Sequence, residues 1–303
     1  MIAMEKKLQM EDHIKRNKRL TVVVCTMMAL LFVAIILAFG YFYFGNIYIA
    51  MIFAIPIAVG YVAITYSVSV GSIIAAARAR PANPQIREEK LLIHRVEEMS
   101  IAAGLPMPKV YVQDSDSINA FATGKNPKEA VICTTTGALR KLNQEELEGV
   151  IAHEMSHIKN YDIRIATVTI GVVGAISLIS EIVFWSMFWG GRGRGRGDSN
   201  IILLALSILL IILGPLFARL TYLALSRRRE YLADSTGAYL TRNPEGLAKA
   251  LEKIKLDHPR EKPKGSKTVA PLYISNPFTK MDASSLTSTH PPIDERIRRL
   301  RTM

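Results

Sequence analysis

The residues best suited to chemistry are His153, Glu154 and His157, which lie within the sequence His-Glu-Met-Ser-His. On an α-helix the two histidines are four residues apart and share one face, so both can bind one metal ion. Glu154 lies beside them, where its carboxylate can accept a proton from a water molecule bound to that ion. The pattern predicts metal-assisted hydrolysis. The alternative is an ordinary surface helix that carries two histidines.

Two histidines leave such a site incomplete, because a catalytic zinc ion usually has three protein ligands and one open position. The best candidate for the third ligand is Glu230, within the sequence RRREYLADSTGAYL. Asp234 follows one helical turn later, where it can accept a hydrogen bond from the outer nitrogen of a ligand histidine and fix its orientation. A second interpretation stays open, in which Glu230 only neutralises Arg227 and Arg229 on a solvated helix.

The segment that carries the two histidines has the signals of a helix. Asn143 is a typical N-cap residue, and Glu146 three residues later completes a capping box. Apolar residues then recur at helical spacing. Charged residues precede the motif between positions 141 and 148, and they would be costly in lipid. We therefore expect the site at or just above the membrane surface, outside the hydrocarbon core.

The composition separates the chain into membrane and soluble parts. Half of the 303 residues are hydrophobic, yet the net charge is +12, and the two cysteines are too few for a disulfide scaffold. A bilayer is crossed by about 20 apolar residues. Four uncharged or nearly uncharged runs reach that length, at 21–44, 47–77, 165–189 and 201–225. The sequence therefore predicts four transmembrane helices in two hairpins.

The predicted organisation alternates membrane and soluble parts. These are a basic cytoplasmic N-terminus (1–20), hairpin 1 (21–77), a cytoplasmic catalytic part with the HExxH helix (78–164), hairpin 2 (165–225) and a cytoplasmic catalytic part with the third ligand (226–303). Basic residues cluster beside the span ends, which favours a cytoplasmic side for the soluble parts. Arg192, Arg194 and Arg196 oppose this orientation and leave open a shallow second hairpin that does not cross fully.

The same charge distribution bears on binding partners. Because the basic residues cluster at span ends, orientation and anionic headgroups explain them better than a nucleic acid does. We expect contact with the lipid bilayer and no nucleic-acid partner.

Short strands are predicted on either side of a loop, at 108–124 and 130–136, where Val and Ile are frequent. An edge strand near the metal could bind an extended peptide by backbone pairing, with little demand on the peptide's sequence. The stretch 258–288 has little periodicity and reads as a long loop, either a substrate lid or a disordered segment.

The ordered set of motifs resembles a known family. SINAFATG (117–124), the HExxH sequence, EYLAD (230–234) and STHPPIDERI (288–297) follow one another between two apolar hairpins. This arrangement is similar to that of the HtpX-type integral-membrane zinc metallopeptidases, relatives of the CAAX prenyl proteases. The resemblance implies a mainly α membrane protein, α+β overall, with a gluzincin-like cytoplasmic domain that contains a small β-sheet.

The resemblance also assigns roles to residues. It makes His153, His157 and Glu230 the ligands of one Zn²⁺ ion per chain, Glu154 the general base, and Asp234 the residue that orients a ligand histidine. Asn119 matches a position that holds the substrate backbone. His290 and Arg296 match residues that stabilise the tetrahedral intermediate.

The expected function is endopeptidase activity at the cytoplasmic face of the plasma or inner membrane. By resemblance, the substrates are misfolded membrane proteins, and the role is protein quality control under stress. A processing protease of the CAAX type, acting on lipidated C-termini, is the first alternative. A catalytically silent membrane binding protein is the second. A transporter, suggested by Glu181 and Arg219 in the apolar runs, is the third.

Overall fold

The computed structural model describes residues 15–23, 25–27, 29–30, 33, 37, 46–170, 227–257, 266–275 and 291–303. The chain divides into two compact units. The first contains residues 1–18, 70–167 and 222–303, and the second contains residues 19–69 and 168–221. Nearly all the described residues that could take part in catalysis or metal binding belong to the first unit.

One long apolar helix, α1, spans Ile47–Ala77 and coincides with the second predicted run. Among the described residues, one helical stretch is long and apolar enough to cross a membrane, Ile55–Ala77 with a mean hydropathy of 1.8. Pro56 lies inside α1. The runs at 21–44, 165–189 and 201–225 lie wholly or largely outside the described residues, so the four spans stay a prediction.

A small mixed sheet lies in the first unit, with strand order β1-β2-β4-β3. Its strands are β1 (Ala79–Pro81), β2 (Lys109–Gln113), β3 (Ala120–Thr123) and β4 (Val131–Thr135). The central pair β2 and β4 is parallel, whereas β1 and β3 pair antiparallel with their neighbours. Strands β2, β3 and β4 occupy the segments in which the sequence predicts strands, and β3 forms an edge.

Six helices lie in the described part of this unit, in addition to the helical residues 15–18 and 162–167. They are α2 (Arg87–Ala103), α3 (Thr136–Lys141), α4 (Gln144–Lys159), α5 (Arg227–Thr241), α6 (Pro244–Leu256) and α7 (Ile293–Leu300). Short 3₁₀ turns occur at Pro127–Glu129 and Lys267–Leu272. The described part of the chain is therefore mostly helical, as expected.

Helix α4 lies at the centre of the hydrophobic core. Its residues Val150, Ile151 and Met155 are fully buried and belong to one cluster with apolar residues of α2, the sheet and α6. The predicted capping box is present, because Asn143 Oδ1 accepts from Glu146 N and Glu146 Oε2 accepts from Asn143 N. The cap and the core together fix the position of the helix that carries the two histidines.

Candidate metal centre

Helix α4 presents its chemical residues to the interior of the unit. His153 and Glu154 are 1% and 2% exposed, and His157, one turn later, lies at the edge of the same buried region. Charged and imidazole groups rarely occupy such positions without partners, because burial penalises their ionised forms. Their partners therefore indicate what the site can do.

Helix α5 supplies those partners by crossing α4 at close range. A Cβ atom at Gly237 would lie 3.0 Å from His153 N, so only a glycine allows this approach without displacement. The crossing brings Glu230 and Asp234, which are each 2% exposed, to the face of α4 that carries the histidines. The predicted third ligand is thus buried beside the HExxH motif, and the interpretation of Glu230 as a solvated surface residue is wrong.

Three potential metal-ligand atoms lie close together. His153, His157 and Glu230 each offer one atom, and these atoms all lie within 4.8 Å of one another. The two Nε2 atoms are 3.2 Å apart, and Glu230 oxygens lie 3.9 Å from His153 Nε2 and 3.5 Å from His157 Nε2. Two nitrogens on one tetrahedral zinc ion, at bond lengths of about 2.0–2.1 Å, are roughly 3.3 Å apart. The arrangement fits a zinc ion.

A carboxylate faces the outer nitrogen of each histidine. His153 Nδ1 lies 3.0 Å from Asp234 Oδ1 without the alignment of a hydrogen bond, and His157 Nδ1 is hydrogen-bonded to Asp162 Oδ2 at 3.0 Å. A proton on each Nδ1 would face a carboxylate, which leaves both Nε2 lone pairs available to the shared centre. Two facing lone pairs at that separation repel each other, and a cation between them relieves the repulsion.

The pKa of His157 also indicates that this site favours a positive charge. Burial lowers the pKa of His157, but the carboxylates of Asp162, Glu230 and Glu154 outweigh it and raise the pKa to about 9. Without a metal ion, a proton would take the position of the cation. The donor set of two imidazoles and one carboxylate, in this acidic surrounding, therefore suits a divalent metal such as zinc.

Arg296 lies behind the ligands and not in solvent. Its Nε and Nη2 donate to the two oxygens of Asp234 at 2.9 and 2.7 Å, and its Nη1 lies 3.7 Å from Glu230 Oε2. Burial opposes ionisation of Asp234, but Arg296 and His153 outweigh it and lower its pKa to about 2. The guanidinium therefore keeps Asp234 ionised and fixed against His153.

A small pocket opens onto the ligands. Glu154 lines it together with the three ligand residues, Pro271 and Leu272. Glu154 thus lies next to the metal position, in the wall of this pocket.

Asn119 lies directly before the edge strand β3 and holds the backbone of a second segment. Its Nδ2 donates to Ser275 O at 2.6 Å, and Ile274 N donates to Ala120 O at 3.0 Å. Tyr273 anchors the same segment by donating from its hydroxyl to Gln113 Oε1 at 2.9 Å. The segment 271–275, part of the predicted loop 258–288, therefore pairs with the sheet edge that borders the pocket.

Asp162 belongs to none of the predicted motifs, so sequence reasoning gives it no role. It follows the C-terminal end of α4 at Asn160. The available signal was a carboxylate just past the helix end, five residues after His157. Of the residues predicted for the site, His290 lies outside the described residues.

Comparisons with known proteins agree with this chemistry. The model of a family described as Peptidase family M48 matches residues 87–303. A protein of Ligilactobacillus salivarius named Protease HtpX homolog is 42% identical over 296 residues, covering 96% of this chain and 99% of the relative. Its namesake in Caldanaerobacter subterraneus subsp. tengcongensis is 46% identical over 281 residues, covering 90% of this chain and 92% of the relative.

A solved structure is also similar in part. The chain matches S. mikatae Ste24p with a TM-score of 0.48 and 18% sequence identity, over 95% of this chain and 66% of that one.

Proposed function

This chain belongs to peptidase family M48, and we propose that it is a membrane-embedded, zinc-dependent endopeptidase. The proposal rests mainly on one observation: the ligand atoms of His153, His157 and Glu230 lie within 4.8 Å of one another, and Glu154 lies beside them in a pocket. The protease names of the relatives support the reaction type.

His153, His157 and Glu230 would hold the ion, while Asp162 and Asp234 keep the two imidazoles oriented. Zinc at these ligands supplies Lewis-acid chemistry, which polarises a scissile carbonyl and lowers the pKa of water to about 7. Glu154 takes the proton of the attacking water and later delivers it to the nitrogen of the leaving amine. Its burial beside the pocket keeps bulk water away from this transfer.

The anionic oxygen that develops on the former carbonyl needs positive partners. We propose Arg296 and His290 for this role, as the family resemblance implies. Arg296 lies behind the ligands, where Nε and Nη2 hold Asp234 and Nη1 faces Glu230, and it is not among the residues that line the pocket, so in this arrangement it would act on the oxygen through the ligands and not by direct contact. A donor aimed at such an oxygen contributes roughly 3 kcal/mol of transition-state stabilisation.

The substrate backbone is proposed to bind along β3. Asn119 and Ala120 already hold a backbone there by hydrogen bonds, that of Ile274 and Ser275. A peptide that paired with the same atoms would enter the pocket next to Glu154, by strand addition to a sheet edge. The chain's own segment 271–275 occupies these positions, so a substrate must displace it.

The membrane part of the proposal follows the predicted organisation. We propose four spans in two hairpins (21–77 and 165–225), with the parts at 1–20, 78–164 and 226–303 on the cytoplasmic side. The apolar helix α1 supports this, because large side chains such as Tyr48, Ile52 and Ile64 are more than 60% exposed on it. The substrates would be misfolded membrane proteins cut in cytoplasmic segments, in protein quality control.

The decisive experiment compares the purified wild type with Glu154→Gln in detergent, using bound zinc and cleavage of an unfolded protein as readouts. We expect one zinc ion per chain in both, and a loss of cleavage of at least about 100-fold in Glu154→Gln because the proton acceptor is gone. Glu145→Gln is the matched control, since Glu145 is an exposed residue of the same helix. It should cleave like the wild type.

Two results would contradict the proposal. One is wild-type cleavage by Glu154→Gln. The other is an unchanged zinc content in Glu230→Ala, which would remove Glu230 from the ligand set.

A further inference from the structure

The turn after α4 places Asp162 against His157 at the cost of backbone strain. Asn160 ends the helix, Tyr161 adopts φ 60, and Asp162 Oδ2 then lies 3.0 Å from His157 Nδ1. The left-handed conformation is unfavourable for a residue that has a Cβ atom, because the Cβ atom crowds the following carbonyl oxygen. Other contacts must therefore hold this turn in place.

Those contacts come from the N-terminal helical segment, residues 15–23, which precedes and enters the first predicted span. Asn17 is 2% exposed, and its Nδ2 donates to Asn160 O at 3.0 Å and to Asp162 Oδ1 at 2.8 Å. The Nζ of Lys18 lies 4.6 Å from the ring centre of Tyr161, within the range of a cation–π interaction. One short segment thus contacts all three residues of the turn.

The two oxygens of Asp162 have separate partners. Oδ2 faces the imidazole of His157, and Oδ1 accepts from Asn17, with Arg229 Nη1 at 3.8 Å. A carboxylate held at one oxygen is fixed in rotation, so its other oxygen meets the imidazole at a defined angle. Partners of this kind set the orientation and basicity of a metal-bound histidine.

We propose that Asn17 is a positioning residue of the metal centre, acting through Asp162 on His157. The segment before the first predicted span is then part of the catalytic apparatus as well as a topology signal. This inference rests on the proposed zinc function, because it assigns the contact a role in holding the ion.

The test is a double-mutant cycle on the zinc dissociation constant, measured by chelator competition on the full-length protein in detergent. We expect Asp162→Ala to weaken zinc binding by about 10–100-fold and Asn17→Ala by roughly 5-fold, the effect of one hydrogen bond. Because Asn17 acts through Asp162, the double variant should bind zinc no more weakly than Asp162→Ala alone. Asn17→Leu, which keeps the branched shape of the side chain and removes the donor, should match Asn17→Ala.

Val22→Ala is the control, since Val22 is 61% exposed in the same helical segment. The thermal midpoint of the metal-free proteins separates positioning from folding. Zinc affinities of both Asn17 variants equal to that of Val22→Ala would overturn the inference, and so would additive losses in the double variant. A wild type that binds no zinc would instead refute the proposed function, and the inference with it.

Discussion

At the scale of single residues, the ion pair of Asp234 and Arg296 is one of the deeply buried charge arrangements of the site. Both side chains are at most 3% exposed, and the guanidinium meets the carboxylate through two hydrogen bonds. Glu230 lies within reach of the same guanidinium. Removing one partner of such a group leaves an uncompensated charge in a dry interior, which is costly.

We therefore predict that Arg296→Met lowers the free energy of unfolding of the metal-free protein by about 3–5 kcal/mol. Arg298→Met is the matched control on the same helix, because the Arg298 side chain is 73% exposed and pairs with Glu295 in solvent. A pair of this exposure contributes little to stability, because water and salt screen it. Thermal and denaturant unfolding in detergent without zinc measure both. Equal losses in the two variants would show that the buried pair contributes no more than a surface pair.

At the scale of elements, the site is assembled from helices α4, α5 and α7 and from the edge strand β3. Helix α4 brings both histidines, α5 brings Glu230 and Asp234, and α7 brings Arg296. The segment 271–275 then covers the strand edge by the hydrogen bond from Ile274 N to Ala120 O. An internal segment on this edge competes with any substrate that uses it.

This competition predicts that Ile274→Pro improves substrate binding, because proline has no N–H to donate to Ala120. One hydrogen bond contributes about 0.5–1.5 kcal/mol, so we expect KM for an extended peptide to fall by roughly 2- to 10-fold with kcat unchanged. Ile274→Ala is the control, since it loses the same apolar contacts and keeps the N–H. A KM for Ile274→Pro equal to that of Ile274→Ala would show that the segment does not compete.

At the scale of the whole molecule, the proposed topology determines whether the two catalytic parts reach the same side of the membrane. Helix α4 and helix α5 are separated in sequence by the predicted hairpin 165–225. Their contact through Gly237 lies within the first unit. An even number of crossings between them satisfies this contact, and so does a hairpin that does not cross at all.

We predict that hairpin 2 crosses, so a cysteine at position 199 is labelled from the outer face only by an impermeant reagent. The experiment uses a background in which Cys25 and Cys133 are replaced by serine. A cysteine at Tyr239, which is 79% exposed on α5, is the matched cytoplasmic marker. Labelling of Ser199→Cys only from the cytoplasm, like that of Tyr239→Cys, would show a hairpin that does not cross.

Local sequence signals determined much of the fold and the centre of the site. The spacing of His153 and His157, the capping box at Asn143, the strands β2, β3 and β4 and the apolar run of α1 follow from periodicity, charge and residue preference within short windows. These features are set by neighbours in sequence, so sequence alone reveals them. The prediction of Glu230 as the third metal ligand rests on its residue type and on the family resemblance.

The partners that hold the side chains of the site in place are visible only in the tertiary structure. Asp162 meets His157 only because a strained turn reverses the chain after α4, and Asn17 reaches that turn from the far N-terminal end of the sequence. Arg296 looks from its sequence like a solvated cation on a basic helix, yet it is buried against Asp234. The physical reason is that burial and hydrogen-bond partners arise from segments distant in sequence, so no local pattern records them.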